Sequence, residues 1–476
     1  MLQWFLVTFL GTAHLAIAAW VCGHILLHKE ESGSAVLWIG IVLLSPFVGS
    51  IFYAIFGINR VHRRATRLRL KRGPDPRPLQ DPKPDRPPLP FLEQMRLMYQ
   101  FGRSIHFEEY SPNNTIEPLL NGDQAFPAML EAIGRARKSV ALSTYIFNLD
   151  RAGKQFADAL VQARERGVAV RVLVDDVGLR YSRRSVVRAL KKQGVRAVPF
   201  LPTLTTRFIR FANLRNHRKI LLVDGDTGFV GGMNIKQENL LAEFPEKGVR
   251  DIHFRVQGPV LDQMKRVFED DWEYACGEDI ALPPWQGSPG WGTAETAARF
   301  IFHGPDNQWK KLHWLFLGAL NLARKNIRIV TPYFLPTEIL LNALQAAAMR
   351  GVQVDIVLPR KSNIPFLAWG MEANFLRLLE SGIHIFRTSP PFDHSKIFVM
   401  DDIWASVGSS NWDSRSFRLN FEANLECFDP GLARELIALI EEKKREAEPV
   451  TRKEMRNLKL FRRLGNNFVR LFTPFL

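Results

Sequence analysis

The chain has 476 residues, 46% of them hydrophobic, and a formal net charge of +16. That length is enough for a sizeable core, in two or three domains or in one pseudo-symmetric body. The charge points to anionic partners such as phospholipid headgroups, nucleic acid or phosphate esters. Cys22, Cys276 and Cys427 are too scattered for a disulfide framework or a metal-ligand cluster, which fits a reducing compartment or indifference to redox.

In chain order, Leu2 to Leu27 is apolar apart from Gln3, Thr8, Thr12, His14 and His24, and Ala35 to Ile58 carries no charge. Each run reaches the roughly 20 residues that cross a hydrocarbon core, so both are expected to be transmembrane helices. A cleaved signal peptide fits less well, because no basic region precedes the first run and a second run follows closely. The link between the runs is short, and Arg60, Arg63, Arg64, Arg67, Arg69, Lys71 and Arg72 follow the second. By the positive-inside rule this basic stretch, and the body after it, are expected on the cytoplasmic side and against anionic headgroups. Residues 73–90 are a proline-rich spacer.

From about Asn121 a helix–strand rhythm begins. Phe126–Arg137 and Gln155–Arg166 have helical spacing, and Ser139–Phe147 and Val168–Val174 read as strands. The rhythm returns with helices Leu312–Lys325 and Glu338–Arg350 and strands Ile327–Phe334 and Val352–Leu358. Arg166-Gly167-Val168 and Arg350-Gly351-Val352 end a helix and start a strand in the same way. The expected fold class is α/β, with a largely parallel or mixed sheet covered by helices.

A second echo carries chemistry. Counting from His217 and from His394, lysine falls at +2 (Lys219, Lys396) and aspartate at +7 (Asp224, Asp401). Glycine follows at +14 (Gly231, Gly408) and asparagine at +17 (Asn234, Asn411). Five matched positions make chance agreement negligible, so the halves are read as duplicated units. Alternation along a strand would put histidine and lysine on one face, and two facing units would gather two imidazoles, two ammonium groups and two amides. That set suits a phosphodiester: cations and amides hold the oxygens while the imidazoles act as nucleophile and acid.

The paired His-x-Lys-x4-Asp motifs resemble those of the phospholipase D superfamily. The apolar hairpin with Pro46 and Gly49, the run Asn213-Leu214-Arg215-Asn216 and the run Arg415 to Glu422 resemble its bacterial cardiolipin synthases. The resemblance implies two phospholipase D-like α/β halves packed pseudo-symmetrically behind an N-terminal pair of transmembrane helices. It implies phosphatidyl transfer between two phosphatidylglycerol molecules through a phosphatidyl-histidine, with His217 favoured as nucleophile and His394 as acid and base. Lys219, Lys396, Asn234 and Asn411 would hold phosphate oxygens. Asp251 is expected to orient the histidine of the first half and Glu422 that of the second. Asp224 and Asp401 belong to the catalytic signature but are expected to bond locally. No cofactor or metal is required.

Two departures stand out. Asp393 precedes the second histidine where an apolar residue is usual, and could raise the pKa of His394 or only bend the chain. Gly232 stands where the second copy has Ser409, which would weaken the first half-site slightly. Trp309, Trp314 and Phe316 read as core before acyl-chain lining, and Arg180, Arg183, Arg184, Arg188, Lys191 and Lys192 as a solvated face. Lys453 to Leu476 reads as an amphipathic helix on the membrane.

The expected domains are 1–59 (membrane helices), 60–90 (linker), 91–290 and 291–450 (the two halves) and 451–476 (tail). The expected setting is a bacterial inner membrane, multi-pass, with phosphatidylglycerol and anionic lipids as partners, no nucleic acid, and an oligomer allowed. A phospholipase D hydrolase is the first alternative. A nucleic-acid phosphodiesterase fits less well with two spans and no base-stacking platform.

Overall fold

A computed structural model describes residues 1–29, 32–45, 47–57, 93–105, 108–181, 185–202, 214–287, 296–304 and 311–472. The basic stretch 60–72, the proline-rich spacer, Pro46, Arg183, Arg184, Asn213 and Trp309 lie outside the described residues. The chain divides into two compact units, Met1–Pro78 and Leu79–Leu476.

In the first unit, Leu2–His28 is one helix, long and apolar enough to cross a membrane. The second apolar run is not continuous. It forms the 13-residue helix Ser32–Leu44 and then short turns at Val48–Phe52 and Tyr53–Gly57. At Gly49 an added Cβ would lie 2.2 Å from the carbonyl oxygen of Ile41, so only glycine lets the chain fold back there. Val21 and Ile25 pack with Val42 and Tyr53, and the Tyr53 hydroxyl lies 2.9 Å from His24 Nδ1.

The second unit carries twenty strands among the described residues. In the first half they are β1 (Ser111–Leu120), β2 (Ser139–Thr144), β3 (Ala169–Asp175), β4 (Arg196–Phe200) and β5 (Arg215–Asn216). β6 (Ile220–Val223), β7 (Thr227–Gly231), β8 (Val249–Arg250) and β9 (Ile252–Gln257) complete it. The second half has β10 (Thr296–His303), β11 (Asn326–Val330), β12 (Phe334–Leu335), β13 (Gln353–Pro359), β14 (His384–Thr388) and β15 (Phe392–Asp393). It ends with β16 (Ile397–Met400), β17 (Trp404–Gly408), β18 (Trp412–Asp413), β19 (Asn420–Phe428) and β20 (Ala447–Pro449).

Sixteen of these strands form one sheet, in the order β20-β14-β13-β11-β16-β17-β19-β10-β1-β9-β7-β6-β2-β3-β4, with β5 on β19. Read outward from the central β10–β1 pair, the order repeats as far as β14 and β4, with β20 added at one edge, which is the pseudo-two-fold expected of duplicated halves. Outer strands pair in parallel (β2–β3–β4, β11–β13–β14) and inner ones antiparallel. Helices Arg151–Glu165 and Glu338–Met349 supply the crossovers, capped by Asp150 and Thr337. Gly167 and Gly351 have φ +87° and +88°, so the helix-ending glycines of the sequence echo take the left-handed conformation. Each half has its own core, around Phe156 and Val172 in one and Leu344 and Ile356 in the other.

Phe316 lies in the second core, stacked on Trp412 at 4.9 Å, while Trp314 is exposed. Arg180, Arg188, Lys191 and Lys192 form a solvated face. The tail is two helices, Arg452–Arg456 and Leu460–Arg470, where a single one was expected.

Candidate active site

Both histidines sit in short extended links between strands. His217 to Lys219 join β5 to β6, and His394 to Lys396 join β15 to β16. Each link is clamped by a strand of the opposite half. β5 pairs in parallel with β19, and β15 with β8. In consequence the His217 amide donates to the Phe421 carbonyl at 2.9 Å, and the His394 amide to the Arg250 carbonyl at 2.7 Å. The residue after each of those carbonyls is the carboxylate that meets the imidazole.

His217 Nδ1 lies 3.0 Å from Glu422 Oε2, and His394 Nδ1 lies 2.7 Å from Asp251 Oδ2. The two orienting carboxylates are those named from the sequence, but the pairing is exchanged. Glu422 serves the histidine of the first half and Asp251 that of the second. The expectation failed because it kept each carboxylate with its own motif, whereas β5 and β15 cross the interface between halves. With Nδ1 held by an acceptor, each ring presents Nε2 to the site.

The lysines follow the backbone as well as the imidazoles. Lys219 Nζ donates to the His217 carbonyl at 2.6 Å, and Lys396 Nζ donates to the His394 carbonyl and lies 2.9 Å from His394 Nδ1. Both are buried. Burial lowers the Lys219 pKa to about 7 and that of Lys396 to about 8, against the pull of neighbouring carboxylates. Burial also lowers the pKa of His217, and that of His394 falls well below its usual value with added repulsion from Lys396, Lys219 and His217. Burial disfavours the charge on both ammonium groups, and an anion beside them would favour it.

The two carboxylates differ. Burial pushes both up, and Asp251 rises to about 6. At Glu422 the charges of His217 and Lys219 and the hydrogen bonds from His217 and Ser409 outweigh burial and hold it near 2. Ser409 Oγ donates to Glu422 Oε2 at 2.5 Å. The matching position is Gly232, where an added Cβ would stand 2.6 Å from Asp251 Oδ1. The Gly/Ser difference adds to an inequality that comes first from the charge and hydrogen bond of His217 and the charge of Lys219 at Glu422.

Asp224 and Asp401 stand apart from the imidazole contacts. Asp224 accepts from the amides of Arg137, Lys138 and Ser139, and Asp401 from those of Arg324, Lys325 and Asn326. Each binds the entry to the neighbouring strand from a positive-φ turn (54° and 51°). Both members of the signature thus bond locally, as expected from their place at the far end of a strand. Asp393 bonds Lys443 Nζ at 2.5 Å and the Ser395 amide at 3.0 Å, so it does not serve the His394 ring. Asn234 Oδ1 accepts from the Ile146 amide at 3.1 Å. Asn411 is buried, and its Oδ1 has no hydrogen-bond partner among the described residues.

Sequence reasoning missed several neighbours. Tyr145 stands edge-on to His217 at 5.3 Å, and Tyr333 to His394 at 6.3 Å, each just beyond the second strand of its half, β2 and β11. Extending the repeat back to those strands would have exposed the pair. Arg218, between the motif histidine and lysine, is buried against Asp271 at 2.5 Å and donates to the carbonyls of Glu422 and His303. It ties the first motif to the strand carrying Glu422, a role that spacing does not reveal.

Comparison with known proteins places this geometry. Residues 129–272 and 316–444 match the family described as cardiolipin synthase, PLD-like domain, and residues 16–57 match the phospholipase D-nuclease N-terminal family. Cardiolipin synthase 2 of Bacillus anthracis is 30% identical over 97% of this chain and 90% of its own length. Probable cardiolipin synthase YwiE of Bacillus subtilis is 32% identical over 95% and 90%. Among solved structures, phosphatidylserine synthase of Haemophilus influenzae shares the fold with a TM-score of 0.59 at 16% identity, covering 80% of this chain and 97% of that one. Two mirrored half-sites, each completed by the other half, together with relatives matched over nearly their whole length, identify the chain as a member of the cardiolipin synthase family of phospholipase D-like phosphatidyltransferases.

Proposed function

We propose that the chain transfers a phosphatidyl group from one phosphatidylglycerol to another, giving cardiolipin and glycerol, with His217 as nucleophile and His394 as acid and base. The observation that carries this reading is the crossed pairing of two imidazoles with carboxylates of unequal character. Glu422, held near 2, stays ionised and keeps the His217 proton on Nδ1, so Nε2 offers a lone pair. Nε2 forms a bond to phosphorus as the bond to the glycerol oxygen breaks, and that oxygen takes a proton from His394. The hydroxyl of a second phosphatidylglycerol then gives its proton to His394 and attacks phosphorus, and the P–N bond breaks.

Lys219, Lys396, Asn234 and Asn411 hold the non-bridging oxygens in this scheme. The bound phosphodiester offsets the lysine charges that lower the His394 pKa, so the ring is better able to carry the proton it donates. We further infer a multi-pass membrane protein with its body on the cytoplasmic side. The support is the basic stretch 60–72 following two apolar runs with only a short link between them. We take the domain limits to be those expected from composition, and nucleic acid is not expected among its partners.

The test is lipid mass spectrometry after purified protein meets phosphatidylglycerol vesicles, beside His217→Ala and His394→Ala. Cardiolipin and glycerol from the parent alone support the transferase. Phosphatidic acid in their place makes the chain a hydrolase.

A further inference from the structure

We propose that the helices Leu460–Arg470 and Pro365–Glu372 form a docking face for an anionic lipid bilayer, which holds the rim of the His394 half-site at the membrane surface. The inference rests on the reading that the substrates are membrane phospholipids.

The helix Leu460–Arg470 is inside out. Its large apolar residues Leu460, Phe461, Leu464 and Phe468, continued by Leu471 and Phe472, recur at helical spacing on one face, and that face is turned to solvent. Phe461 is 89% exposed and Phe468 58%. The opposite, mostly polar face meets the body. Arg462 Nε and Asn466 Nδ2 each lie 2.7 Å from Glu372 Oε2. The Arg462 guanidinium lies 5.0 Å from the Trp369 ring centre. At Gly465 an added Cβ would be 2.8 Å from Trp369, so a small residue is needed for the helices to approach. A surface helix in water does the reverse and buries its apolar stripe.

The apolar face continues onto the second helix. Ile364, Phe366 and Trp369 are exposed, and Phe366 and Phe472 have ring centres 6.5 Å apart. The charge beside it is mostly basic: Arg462, Arg463 and Arg470 are the ionisable residues of Leu460–Arg470, with Lys453, Arg456 and Lys459 just before it, while the acids nearby are paired, Glu372 with Arg462 and Glu454 with Arg387. An apolar stripe flanked by arginine is the pattern of a helix lying in the interface of an anionic bilayer, with the basic heads among the phosphates.

The face is joined to the site. Asn363, just before Pro365–Glu372, accepts from the Tyr333 hydroxyl at 2.7 Å, and Tyr333 is the ring beside His394. The Met371 sulfur receives the Phe334 amide at 3.0 Å. A bilayer against this face would deliver headgroups beside the second half-site without lipid leaving the membrane.

The experiment uses the full chain, with Cys22 and Cys276 changed to Ser and a spin label at Leu464→Cys, reconstituted in phosphatidylcholine vesicles containing phosphatidylglycerol. Collision with oxygen should exceed collision with an aqueous nickel chelate. A label open to nickel overturns the proposal. So does a label shielded from nickel only when spin–spin broadening shows a second copy covering it. In a second arm, the triple change Phe461→Ser, Leu464→Ser and Phe468→Ser leaves the Glu372 contacts in place. It should lower turnover of vesicle phosphatidylglycerol roughly tenfold or more while sparing a short-chain, monomeric phosphatidylglycerol. Equal turnover of vesicles by parent and variant overturns the proposal. Failure of the parent on both substrates overturns the transferase reading instead, and the spin-label result stands independently of it.

Discussion

His217 Nδ1 and Glu422 Oε2, 3.0 Å apart, join residues separated by 205 positions, so neither half of the chain holds a complete site. Since Asp251 serves His394 in the same crossed manner, the two carboxylates should fail at different steps.

Glu422→Gln should abolish formation of the phosphatidyl-enzyme, because a neutral amide no longer holds the imidazole proton on Nδ1. Asp251→Asn should form the adduct and resolve it slowly. Each change should cost about 10²–10⁴-fold in turnover. Rapid quench with labelled phosphatidylglycerol measures the adduct directly. Accumulation in Glu422→Gln with none in Asp251→Asn would reverse the roles given to the histidines.

The pH profile of kcat/KM should be a bell. Asp251, raised to about 6, must be ionised to orient His394, so activity rises as pH climbs through that region. Lys219 near 7 and Lys396 near 8 must be charged to bind phosphate, so activity falls on the alkaline side. The limbs belong to the coupled cluster rather than to single residues. Bound phosphodiester favours the charged lysines, so the alkaline limb of kcat should lie above that of kcat/KM. A profile with no alkaline fall in kcat/KM would remove the lysines from phosphate binding.

Asp224 and Asp401 should be stability residues. Each carboxylate accepts three backbone amides, so replacement by Ala should destabilise by about 1–3 kcal/mol at the half-exposed Asp224 and about 2–4 kcal/mol at the buried Asp401. Asn, which tolerates positive φ, should cost less at both. Thermal unfolding gives the stability change, and KM for phosphatidylglycerol should stay within twofold, on the order of error in such comparisons.

Arg218→Ala should leave Asp271 buried without its counter-charge, a loss of about 3–5 kcal/mol. Turnover of the surviving folded enzyme should fall as well, because the bond from Arg218 to the Glu422 carbonyl helps fix the strand that presents the carboxylate. Denaturant unfolding paired with activity per folded molecule separates the two effects. Full activity per folded molecule would make Arg218 a purely structural cross-link.

Much was legible in the sequence because it is local or repeated. The spacing shared by His217 and His394 announces two copies of one unit. The left-handed glycines Gly167 and Gly351 mark matching helix ends, and hydrophobic periodicity places the crossover helices and strands to within a few residues. The first apolar run is a single helix because nothing in it interrupts backbone bonding. The second breaks where Phe47 turns at φ 56° and Gly49 packs on Ile41, a contact that hydropathy does not encode. The identities of Asp251 and Glu422 were also legible. Which histidine each one holds was decided by β5 pairing with β19 and β15 with β8, because strand pairing brings together residues that no local spacing relates. The same holds for Ser409 and Gly232, which look like a minor mismatch in the repeat. In the folded chain Ser409 donates to Glu422 and adds to the larger pull of His217 and Lys219 that holds that carboxylate near 2, whereas Gly232 has no hydroxyl to give Asp251, which burial raises to about 6.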